Sequence, residues 1–105
     1  MDSKQLIIQN ALTKLTYQVD AALLAAQEKS LVMQKFHGVD TRFLEDLCEQ
    51  AQRRLTATNL AYIICFAAGL DTQTIATIFT VTPATVYSVR YRLRACFKQG
   101  TILPF

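Results

Sequence analysis

The chain has no tryptophan, one histidine, two prolines, three glycines and three cysteines in 105 residues. So few helix breakers exclude a loop-rich or low-complexity polypeptide, and no internal repeat or flexible linker is visible. An odd number of cysteines with no CxxC pair argues against a disulfide framework. Cys48 and Cys65 lie in apolar helical patterns as small core residues, and a reduced, cytoplasmic setting is expected. His37 stands beside Gly38 without a carboxylate or thiol cluster, so it offers neither a metal-ligand set nor a catalytic base. Paired carboxylates, a nucleophile–base pair and a glycine-rich phosphate loop are also missing; the expectation is a non-enzyme with no cofactor and no metal. The longest apolar run, Leu60 to Leu70, falls short of the about 20 residues of a membrane span. The basic-then-apolar start, Lys4 to Ile8, turns polar at Gln9-Asn10, unlike a signal peptide. The chain reads as soluble, with no membrane contact.

Acid is the next shortage, and it is confined to one half. Residues 1–50 carry five cations and seven acids, a net −2, whereas residues 51–105 carry six cations against Asp71 alone, a net +5. Such asymmetry suggests a polyanionic partner for the second half. What the chain has in abundance is apolar side chains, 51% of the total, with a mean hydropathy of +0.20. For one small domain this means a large core or apolar surface shared with a second copy, and a homodimer is expected.

Helical spacing dominates, so the fold class is all-α: one long N-terminal helix followed by a four-helix domain. Lys4 to about Phe36 is predicted as a single helix. Ile8, Leu12, Leu15, Val19, Ala22, Ala26 and Met33 follow the 4-3 spacing of a heptad seam, with Lys29 its one break. At about 50 Å such a helix overreaches a small core, so residues 1–38 are read as a dimerisation segment and 39–105 as the functional domain. A helix folded back on its own domain is the alternative. The later helices are predicted at 42–53, 57–68 capped by Thr56, 72–79 capped by Asp71, and 83–97 capped by Thr82 with Pro83 at its first position. The third predicted helix is apolar nearly all round and should be central. Ile102, Leu103 and Phe105 are expected to dock as a short tail.

The most informative stretch is Asp71 to Arg94, DTQTIATIFTVTPATVYSVRYRLR. It holds a helix of about two turns, too short to stand alone, and then a helix rich in arginine. Ala76 is small where two such helices cross closely. Val86, Val89 and Leu93 share one face of the second helix, which leaves Ala84, Tyr87, Ser88 and Tyr91 on the opposite face. Thr85 and Arg92 flank that face on one side, Arg94 and Lys98 on the other. A short helix, a tight turn and a basic helix form a helix-turn-helix able to enter a major groove.

Residues 55–97 resemble the LuxR-type (GerE-like) DNA-binding domain. The likeness rests on Leu55-Thr56 opening a helix, on Gly69-Leu70-Asp71, and on IATIFTVTPATVYSVRYRLR. The Arg-Tyr-Arg wording is similar to the C-terminal regions of Bacteroidetes regulators. Two features depart from the family: Asn59 replaces the acid that completes the capping box, and Lys98 to Phe105 is too short for the family's last, commonly dimerising helix. The resemblance implies double-stranded DNA as partner. It matches Thr85 and Ser88 to DNA-touching positions, with Thr82 and the amides of Pro83–Thr85 at phosphate, and Arg92, Arg94 and Lys98 adding charge-assisted contacts. Arg90 is divided between a phosphate contact and a structural salt bridge. Tyr87 and Tyr91 can meet thymine methyls or phosphates, or simply cover the core edge. No Asn, Gln or Arg stands on the groove face for bidentate base reading, so selectivity should depend on dimer spacing or DNA shape.

The expected function is the DNA-binding output domain of a transcriptional regulator, cut from a larger sensor–effector protein. A sigma-like promoter-recognition region, with RNA polymerase as partner, and a helical adaptor domain remain the alternatives.

Overall fold

Six helices and no strand occur among the described residues, and five of the helices begin behind a capping side chain. The computed structural model describes residues 2–105. Helix α1 spans Ser3–Ala21, α2 Ala26–His37, α3 Thr41–Gln50, α4 Ala57–Ala67, α5 Thr72–Phe79 and α6 Pro83–Arg94. Side-chain oxygens of Asp2, Asp40, Thr56, Asp71 and Thr82 accept from amides in the first turns of α1, α3, α4, α5 and α6. Each bond satisfies a donor that the helix itself leaves open.

Helix α4 is the centre. Every residue from Leu60 to Phe66 is buried, as its all-round apolar pattern predicts. Helix α1 lies against it and also meets α2, α3 and α5. Gly69 closes α4 at φ +77°, a left-handed conformation that suits glycine, and Leu70 N–H donates to the Cys65 carbonyl at 3.2 Å. Asp71 then begins α5.

The expected single helix over 4–36 is two helices. Ala22 and Ala25 take extended backbone, with ψ of 154° and 152°, although no glycine or proline breaks the run. Ile8, Ala11, Leu15 and Val19 are already buried along α1; after the break the chain returns Val32 and Phe36 to the same core. Tertiary burial outweighs the helix propensity of Ala-Leu-Leu-Ala. Lys29, the one interruption of the heptad seam, donates from Nζ to the Asp20 carbonyl at 2.7 Å. It thereby satisfies one of α1's terminal acceptors.

The dimerisation stripe is corrected with it. Ile8, Leu15, Val19 and Ala22 are buried inside the chain's own core, and Leu12 and Met33 pack half-buried against it. Ala26 is exposed at the start of α2. Four of the seven are therefore occupied by the fold itself. Buried side chains from before and after residue 38 belong to one cluster.

The last helix is also shorter than expected. It ends at Arg94, and Cys96 and Phe97 leave the helical path to meet the α3–α4 connection. Gln52 N–H donates to the Cys96 carbonyl at 2.7 Å, and Ala51 and Phe97 form an isolated antiparallel bridge. Helix α3 likewise stops at Gln50 rather than Arg53, which frees Ala51 for that pairing. In the tail, Leu103 and Phe105 pack on the core, whereas Ile102 is 86% exposed. No described helix is long and apolar enough to cross a membrane.

Candidate nucleic-acid interface

Helices α5 and α6 pack against each other and are joined by Thr80, Val81 and Thr82. Thr80 is left-handed, with φ 55° and ψ 48°. That conformation lets Thr80 N–H donate to Thr77 and Val81 N–H to Ala76, at 3.3 and 2.9 Å, which closes the C-terminus of α5. Ile75, Ala76 and Ile78 are buried. Phe79 is half-buried and stacks on Tyr62, with ring centroids 3.9 Å apart and planes 10° apart. The α5–α6 pair is thus seated on α4.

On α6 the buried residues are Val86, Val89 and Leu93, the three that share one helical face. Thr82, Ala84, Thr85, Tyr87, Ser88, Tyr91, Arg92 and Arg94 are all exposed, and among them Tyr91 is 80% and Tyr87 57% exposed. Lys98 is exposed too, but it lies beyond the end of α6, past the bridge at Phe97. The structure therefore brings the predicted residues of α6 onto one continuous outer face, with Lys98 at its far end. Arg92 and Arg94 stand in the last turn, where cations also complement the helix dipole.

At the other end of α6, Thr82 Oγ1 accepts from Thr85 N–H at 3.2 Å and lies 3.0 Å from Thr85 Oγ1. Of the three amides expected to meet phosphate, Pro83 has none and Thr85 donates to Thr82. Ala84 N–H remains as the donor of that turn.

Arg90 forms no salt bridge among the described residues, although that is one of its two expected roles. Its guanidinium carbon lies 4.9 Å from the centroid of Phe66 and 5.8 Å from that of Tyr87, a cation–π arrangement. Its Nε is buried without a hydrogen-bond partner. Among the described residues the one salt bridge joins Lys4 of α1 to Glu49 of α3, far along the sequence from Arg90.

Sequence reasoning missed two residues beside this face. Phe66 of α4 carries Arg90 and also meets Phe105, whose ring centroid is 5.1 Å away. A main-chain oxygen of Phe105 accepts from Arg94 Nε at 3.0 Å. Neither contact has a periodic signature, since each joins residues distant in the chain.

No protein-family model, curated protein or solved structure matches the chain. What the α6 face can do follows from its own chemistry. It offers Arg92, Arg94 and Lys98, two phenol rings, three hydroxyls on threonine and serine, and no acidic side chain. The one acid of the second half, Asp71, is spent on capping α5: its carboxylate accepts from Thr74 N–H at 2.7 Å, a bond that holds its pKa below the ordinary value. No group of histidine, cysteine and acidic side chains suited to a metal ion occurs among the described residues. Burial pushes the Cys65 thiol strongly up and the Cys48 thiol up, which leaves both protonated and poorly nucleophilic.

Proposed function

We propose that this chain is a double-stranded DNA-binding domain of the LuxR-like helix-turn-helix kind, serving as the output part of a transcriptional regulator. Helix α5, the Thr80–Thr82 turn and α6 would form the motif, with α6 in the major groove. The observation that carries this reading is the division of α6: Val86, Val89 and Leu93 are buried, while every polar and basic residue singled out on its opposite side is exposed. That division frees a face without acid at the end of a helix bearing Arg92 and Arg94.

Phosphate contacts would come from Arg92, Arg94, Lys98, Thr82 and the Ala84 amide, and base-edge contacts from Ala84, Thr85, Tyr87, Ser88 and Tyr91. One α6 offers no Asn, Gln or Arg on this face for bidentate base reading, so selectivity is assigned to two copies on neighbouring half-sites and to DNA shape. The two copies would associate through a surface other than the buried α1 stripe.

Binding of the full chain to a mixed-sequence duplex should weaken steeply with salt, by about 0.9 log unit per decade of salt for each phosphate neutralised. Arg92→Ala and Arg94→Ala should each lower that slope. Unchanged slopes in both, in folded protein, would refute the assignment. The exposure of Tyr87 and Tyr91 favours a second reading, a protein-docking face; salt-insensitive binding with no gel shift at low salt would select it.

A further inference from the structure

Arg94 is held by its own chain on one side only. Its Nε donates to a main-chain oxygen of Phe105 at 3.0 Å, yet the residue as a whole remains exposed. A guanidinium has five N–H donors on a rigid plane. With Nε engaged by that oxygen and the residue exposed, the edge formed by the two terminal nitrogens faces no hydrogen-bond partner among the described residues, and that edge can take two oxygens of one phosphate. Phe105 is itself fixed, because its ring meets Phe66 at 5.1 Å and it packs half-buried against the core. Leu103 packs alongside it. The tail thus reaches back over eleven residues and ties a basic side chain in the last turn of α6 to the buried helix α4.

We propose that Phe105 is a positioning residue for DNA binding: anchored on Phe66, it presents the Arg94 guanidinium to phosphate in a preset orientation. This inference rests on the DNA-binding reading. An arginine that is already ordered loses less side-chain entropy when it meets its ligand, so the tail raises affinity without touching the duplex.

The test is a double-mutant cycle on the full chain, read by fluorescence anisotropy with a labelled mixed-sequence duplex at low salt. Phe105→Ala should weaken binding about three- to tenfold, the range expected when one rotamer-rich side chain must be ordered on binding. Phe105→Leu, which keeps an anchor on Phe66, should recover most of that loss. In an Arg94→Ala background, Phe105→Ala should add no further loss, whereas a merely structural effect of Phe105 would persist there. Thermal melts of all variants identify loss of fold. Tighter binding by Phe105→Ala would make the tail an inhibitor and overturn the proposal, as would unchanged binding or an equal loss in the Arg94→Ala background. If the unaltered chain binds and Arg92→Ala lowers its salt slope while the cycle shows no coupling, this inference falls alone. If the unaltered chain does not bind duplex at all, the DNA-binding reading falls and takes this one with it.

Discussion

Replacing Thr80 by glycine should stabilise the protein. Thr80 sits at φ 55° and ψ 48° as the one non-glycine residue of positive φ among the described residues. The left-handed region costs an L-residue roughly 1–2 kcal/mol, and a β-branched side chain lies toward the upper end because its two γ atoms crowd the backbone. Glycine removes that strain but enlarges the conformational freedom of the unfolded chain, which returns about 0.4–1 kcal/mol. The net gain is about 1–1.6 kcal/mol. For a domain of this size it corresponds to a rise in Tm of about 4–13 °C. Thr80 is exposed, and no side-chain hydrogen bond of its own opposes the change. Urea denaturation should show a higher midpoint with an unchanged m-value, and Thr80→Asn should give part of the gain, since asparagine tolerates this region. A lower midpoint for Thr80→Gly would refute the reasoning. It would mean that the threonine side chain contributes more to the turn than its backbone strain removes.

Three further outcomes are expected. Asp71→Ala should cost about 1 kcal/mol through loss of the α5 cap, while Asp71→Asn should cost little. Because the folded state lowers the Asp71 pKa, its contribution is present above the unfolded-state value and is lost as pH falls through the folded value. Asp71→Asn should therefore flatten that part of the acid limb in a pH-dependent melt. Leu15→Ala should destabilise by about 2–5 kcal/mol, as for a leucine fully enclosed in a core, and the loss of Tm relative to the unaltered chain should not vary with protein concentration. A concentration-dependent loss instead would return Leu15 to an interface between chains. Thiol titration of native protein at mildly alkaline pH should leave Cys65 unmodified until denaturant is added, and labelling of Cys65 at the rate of a free thiol would contradict its burial.

The elements legible in the sequence are those whose ends are written in local chemistry. Helix α5 begins after Asp71 and α6 after Thr82-Pro83 because a capping oxygen and a proline act within three residues of themselves. The buried face of α6 follows for the same reason, since Val86, Val89 and Leu93 recur at helical spacing and that spacing decides their direction. The turn at 22–25 is different. Ala-Leu-Leu-Ala favours helix, and it is opened by the reach of α1 over α4, a non-local condition. Its one local trace was Lys29, which interrupts the heptad pattern and proves to serve the Asp20 carbonyl. The end of α6 was similarly hidden, because the partner of Cys96 is Gln52, 44 positions away. Arg90 and Arg94 could be placed on the helix wheel, but their ties to Phe66 and Phe105 belong to the assembled chain.

The clasp between Ala51 and Phe97 brings the chain leaving α6 to the point where the two unequally charged halves meet. It seats the end of α3 beside the chain leaving α6, and Asp46 and Gln50 line a cleft with Gly100, Thr101 and Ile102. Because Gln52 pairs with Cys96, Arg53 and Arg54 follow directly after the paired residues. The end of α6 is thereby tied to the one stretch before α4 that carries two adjacent cations, a neighbourhood that no charge count along the chain would reveal.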